Sequence, residues 1–154
     1  MKFIELKEFV EKYVTTDKES WHALESILYI KTYSKDEILK VDNLIYFINS
    51  GFIKCKKHSE INQILDFHNC KKNKMFFNYS FCFVTDYLGL VKKEKRKQTF
   101  FVIEDSELIL IDYSKLKFLS YKYKELEKFE EILLEFERNR IKKEIYKLLL
   151  EIDT

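Results

Sequence analysis

From Ile30 to Asp112 the helical spacing that marks both ends of the chain gives way to short apolar runs. They are "YIKTYS", "DEILKV", "LIYFIN", "GFIKCKK", "INQILDF", "QTFFVIE" and "ELILID". Ile, Val, Phe and Tyr dominate them, and turn-like pieces separate them: "SKD", "DN", "NSG", "HSE" and "EDS". Short β-branched and aromatic runs at this spacing make strands of a sandwich or barrel, here about eight of them. Gly51, in "INSGFIK", is expected at a tight turn needing a positive φ, which only glycine adopts cheaply. "FHNCKKNK" is expected to be a polar loop.

Helical spacing flanks this block. Phe3, Leu6, Val10 and Tyr13 predict a helix over 2–14. Thr16 and Glu19 have the spacing of a capping box for a second helix, with Trp21, Leu24 and Leu28 as its apolar face. After "LILID", a short helix is expected from Tyr113 to Tyr121 with Leu116 and Leu119 inward. Glu125 to about Glu151 then reads as one long helix without a breaker. Its stripe is Leu126, Phe129, Leu133 and Phe136, shifting to Ile141, Ile145, Leu148 and Ile152, as in a short coiled-coil seam or a packed helix. The 154 residues contain no proline and no linker-like stretch, so a single domain is expected: N-terminal helices to 29, strands over 30–112, C-terminal helices over 113–154.

Charge and cysteine usage narrow the function classes. With 28 basic and 26 acidic residues, the net charge of +2 leaves no global footprint for nucleic acid. Three cysteines without a CxxC argue against a disulfide framework and fit a reducing cytoplasm. The amphipathic N-terminus is not a signal peptide, and no apolar run is long enough to span a membrane. His22, His58 and His68 are scattered, there is no HxH pattern, and His68 with Cys70 supplies only two ligands, so no metal site is expected. No Ser or Cys nucleophile has a His at a readable spacing, so no catalytic residue and no enzyme are expected.

Three stretches carry a resemblance to a known family: "YSKDEILKVDNLIYFINSGFIK", "FVTDYLGLV" and "VIEDSELILIDYSKLKFL". In this order they resemble the sensor half of the Crp/Fnr family of bacterial regulators, and the "EDSEL" piece is similar to its Bacteroidetes group. The resemblance covers about Trp21 to Leu150. It implies a mainly β fold with flanking helices, a cyclic-nucleotide-binding-type β-roll or jelly roll. It also implies a homodimer through the long C-terminal helix, with Leu126, Phe129, Leu133, Phe136 and Ile141 at the interface. The winged helix-turn-helix that follows this helix in the family is expected to be missing, so direct DNA binding by this chain is not expected.

The resemblance also implies a phosphate-binding cassette in "FVTDYLGLVKKEKRKQ", residues 83–98. Asp86 falls at the family's ribose-binding Glu and Arg96, ten residues on, at its phosphate-binding Arg. Thr85 stands in place of a glycine, Tyr87 follows Asp86, and Lys97 replaces a small hydroxyl residue. Asp36 and the shortened "KVDN" replace glycines of the early strands. Three alternatives stand for the cassette: a cyclic nucleotide, another small anionic effector, or no ligand. No other cofactor is implied. The run "KKEKRK" is the signature of a solvated hairpin tip, with nucleic-acid binding as the competing idea. The expected function is a sensor or regulatory domain of Crp/Fnr type; the alternative is a ligand-free protein–protein interaction module on the same scaffold.

Overall fold

Two continuous apolar runs, 44–48 and 108–111, lie side by side at the centre of the protein, with Ile45 opposite Ile111, Tyr46 opposite Leu110 and Phe47 opposite Ile109. A strand that alternates apolar and polar residues covers one face; a strand apolar at every position is buried on both. That is the case here. Ile45, Phe47, Ile109 and Ile111 pack against the helices, while Tyr46, Ile48, Leu108 and Leu110 point into a second apolar cluster.

The computed structural model describes residues 3–40, 42–58, 64–72, 83–85, 90, 98–135 and 138. Among these, α1 (Ile4–Tyr13) and α2 (Lys18–Glu25) precede six strands. The strands are β1 (Leu28–Tyr33), β2 (Ile38–Leu39), β3 (Leu44–His58), β4 (Ile64–Lys72), β5 (Phe83–Val84) and β6 (Gln98–Asp112). Helix α3 (Tyr113–Lys122) comes next, and α4 begins at 124 and is helical through 135. The six strands form one antiparallel sheet in the order β1-β6-β3-β4, with β2 on β6 and β5 on β3. The second apolar cluster is built of strand residues alone, among them Leu39, Ile53, Val84, Phe100 and Val102. Strands of the same sheet therefore cover this face.

Several expected turns are not turns. "NSG" lies inside β3 and "EDS" inside β6, each strand running through 15 residues. The two pieces meet across the ladder. Ser50 pairs with Glu107 and Phe52 with Glu104, so one residue on β3 faces two on β6, and the register shifts there. Such a bulge bends and twists a strand without ending it. Gly51 does have a positive φ, +122°, but at this bulge and not in a hairpin turn. β4 likewise extends through Lys72, so the expected loop from Phe67 is strand at least that far.

The helices dock on one face. Leu6, Phe9 and Val10 of α1, Trp21 and Leu24 of α2, and Leu116 of α3 are buried there, with Leu119 partly so. Helix α2 ends at Glu25, so Leu28 is buried from β1, not from a helix. Its cap is Asp17 and not Thr16: the Ser20 backbone N–H donates to Asp17 Oδ1 at 2.7 Å. That bond holds the Asp17 carboxyl below its ordinary pKa, because it favours the charged form. Asp36 and Asn43 have φ of +74° and +59°. Asp and Asn are the non-glycine residues that enter this region most readily, so they take over what glycine does elsewhere.

The expected dimer stripe is corrected in its first half. Leu126, Phe129 and Leu133 are buried in the chain's own core, in one cluster with Phe9, Phe47 and Phe83. The Phe129 ring stands 6.5 Å from that of Phe83. Side chains already covered by their own chain have no apolar area left to bury against a twin. Phe136 and Ile141 lie outside the described residues.

Candidate functional site

β5 is two residues long, and its pairing fixes where the chain beyond it starts. Phe83 lies opposite Phe47 and Val84 opposite Tyr46 on the central strand β3. The Phe83 ring is wedged among Phe9, at 4.9 Å between centroids, and Phe47, at 5.0 Å. Val84 faces the other cluster. This pair anchors the chain in both cores at once and carries Thr85 inward behind it.

Thr85 is 2% exposed, and its Oγ1 has no hydrogen-bond partner. A hydroxyl buried without a partner forfeits the bonds it made with water, at a cost of about 1–3 kcal/mol. Such groups are uncommon, and each calls for a physical explanation. Its position is the head of the segment that resembles a phosphate-binding cassette. The other members of that expected site, Asp86, Tyr87, Arg96 and Lys97, lie outside the described residues.

From the sequence, Thr85 is only a departure from glycine. The structure makes it a buried donor with nothing to donate to. Residue order holds no trace of this, because an orphaned hydroxyl is defined by what surrounds it.

The junction of α3 and α4 is tied to α2. Ser20 Oγ donates to Glu125 Oε2 at 3.2 Å, and the Tyr123 hydroxyl donates to Glu19 Oε1 at 3.4 Å. The Tyr113 hydroxyl donates to Glu130 Oε1 at 3.0 Å, clamping the start of α3 to α4. Through Phe83 and Phe129, the segment ending at Thr85 touches the same helix. β5 and α4 thus meet ring to ring.

His68 and Cys70 belong to β4, where Cys55 of β3 lies opposite His68. Among the described residues, no three His, Cys, Asp or Glu side chains are grouped to hold a metal ion. Among them, too, no helix is long and apolar enough to cross a membrane.

No family model and no curated protein matches the sequence. Solved structures do match. A cyclic nucleotide-binding domain from Methylobacillus flagellatus superposes with a TM-score of 0.77 at 14% identity, over 97% of this chain and 84% of that one. A structure assigned to the Crp/Fnr family of transcriptional regulators, from Eubacterium rectale, gives 0.65 at 10% identity, over 88% of this chain and 61% of that one. The catabolite activator protein of Thermus thermophilus gives 0.57 at 12%, over 89% and 59%. At such identities the likeness carries the fold alone. That fold, a mainly antiparallel sheet with flanking helices, is the one of cyclic-nucleotide-binding domains.

Proposed function

We propose that the protein is a sensor or regulatory domain of the Crp/Fnr type, and that the segment beginning at Thr85 receives a small anionic effector. The observation that carries this is the buried, unpartnered Thr85 hydroxyl at the end of β5. A donor held dry and unused is what a pocket offers to an acceptor such as a phosphate oxygen. Arg96 would supply the matching charge as a planar, permanently protonated fork. Thr85 and Asp86 depart from the pattern of nucleotide-binding members, so the effector is a cyclic nucleotide or another small anion. In this reading the sheet closes as a jelly roll of the Bacteroidetes-group kind.

The effector would act by binding two arrangements of the helices unequally, since a ligand shifts an equilibrium only by its difference in affinity. The ring contact of Phe83 with Phe129 links the strand that ends before Thr85 to α4. A homodimer through residues beyond 135, with Phe136 and Ile141 at its interface, is the assembly this reading predicts.

Thr85→Val tests the reading without knowledge of the ligand. A methyl in place of an orphaned hydroxyl removes an uncompensated desolvation, so the empty variant gains about 1 kcal/mol in chemical denaturation. Stability sacrificed for function in this way is typical of binding sites. A loss of stability in the variant means that the hydroxyl is bonded in the empty protein, and the reading falls.

A second reading has its own observation. Phe118 and Tyr121, three residues apart on α3 and thus on one face, are 73% and 81% exposed. Exposed aromatic pairs are enriched at contact surfaces. They favour the alternative of a protein–protein interaction module, which size measurement of Phe118→Ser in complex with a captured partner would test.

A further inference from the structure

A groove of about 310 Å³ lies between α3 and α4. Tyr121 of α3 and Leu134 of α4 supply its apolar lining. Leu134 is half-buried, whereas Tyr121 is 81% exposed. Phe118, 73% exposed, continues the apolar surface along the same face of α3. Apolar surface left open to water and rimmed by charged groups marks a contact site.

The charged lining says what kind of partner fits. Glu127, Glu130 and Glu131 share the groove with one cation, Lys117. Glu130 Oε1 accepts from the Tyr113 hydroxyl, and Lys117 Nζ lies 5.9 Å from the centre of the Tyr113 ring. No ion pair joins Glu127 or Glu131 to a cation among the described residues. Both are exposed and stand four residues apart on one helix, a spacing at which like charges repel. A positive side chain brought from outside offsets that repulsion. Nucleic acid meets the same carboxylates and is repelled. A second copy of this chain is a poor occupant too, because two-fold packing sets the same patch of each copy against itself, glutamates near glutamates.

We propose that the groove between α3 and α4 docks a basic amphipathic helix of a partner protein. Its apolar face covers Tyr121, Phe118 and Leu134, as amphipathic helices do in apolar grooves. Lysines or arginines four residues apart on it repeat the spacing of Glu127 and Glu131 and pair with them. This rests on the interaction-module reading above and adds to it the chemistry of the partner.

The experiment titrates the whole protein into two labelled synthetic helical peptides with the same leucine face, one with lysine and arginine on its polar face and one with glutamate, and reads anisotropy. The expected result is saturable binding of the basic peptide, weakening as salt rises, and none of the acidic one. Glu127→Gln/Glu131→Gln should weaken it about tenfold, the worth of two exposed ion pairs. Phe118→Ser/Tyr121→Ser should abolish it. All four positions are exposed, so both variants should melt with wild type. Binding of the basic peptide that survives in both variants overturns the groove as its site. Equal or tighter binding of the acidic peptide, lost in Phe118→Ser/Tyr121→Ser, overturns the basic partner while the interaction-module reading stands. Binding of neither peptide overturns both.

Discussion

Gly51 and Ser106 are so close across the β3–β6 ladder that a Cβ on Gly51 would stand 1.9 Å from Ser106 Oγ and 2.7 Å from its Cα. Ser106 Oγ is held there by two bonds: it accepts from the Phe52 backbone N–H at 3.2 Å and donates to the Glu104 carbonyl at 2.7 Å. The serine thus satisfies backbone groups that the bulge takes out of the ladder, and it fills the space a side chain at 51 would need. Gly51→Ala should cost about 3 kcal/mol or more, from the positive φ and the overlap together. Removing the hydroxyl in Gly51→Ala/Ser106→Ala should recover only part, because the Ser106 backbone remains in the way. Urea denaturation of the two variants checks this; a Gly51→Ala protein as stable as wild type contradicts it.

Phe129 is a core residue of the single chain. Phe129→Ala should therefore cost about 3–5 kcal/mol, as for other buried phenylalanines. The loss should be the same at low and high protein concentration, since the contact to Phe83 is within one chain. A loss that grows on dilution would place Phe129 between subunits instead.

Asp17 predicts a pH effect of fixed sign. Its carboxyl is held below the ordinary value of 3.8 by the bond from the Ser20 N–H. A group with a depressed folded pKa stabilises above its unfolded pKa and loses that stabilisation as pH falls through the folded one. The melting temperature of wild type should exceed that of Asp17→Ala at neutral pH, and the gap should close under acid. A gap that is constant with pH would mean that the charged cap contributes nothing.

How far the fold is legible in the sequence depends on whether a feature is local. "LIYFI" and "LILI" announce themselves as doubly buried strands because every position is apolar, and α1 and α3 follow from spacing at Leu6, Val10 and Leu116. The fusion of runs into long strands is not local: "NSG" and "EDS" look like turns until they are seen opposite each other. Thr16 and Asp17 are both good caps, and only backbone geometry chooses between them. The stripe from Leu126 to Leu133 has the same spacing whether it covers its own core or a twin. Asp36 and Asn43 look like lost glycines, yet both adopt the glycine-like conformation. Of the expected site, Thr85 alone lies among the described residues, and the sequence cannot say that its hydroxyl is unpartnered.

The most direct test of the sensor reading is the melting temperature of the protein titrated with cyclic AMP, cyclic GMP, cyclic dinucleotides and inorganic phosphate. A ligand at a hundred times its dissociation constant adds about 2.7 kcal/mol, several degrees for a domain of this size. The expected result is a saturable rise with at least one of these, lost in both Thr85→Val and Arg96→Ala. No rise with any of them, or a rise that survives both substitutions, would contradict a small-anion pocket at the end of β5.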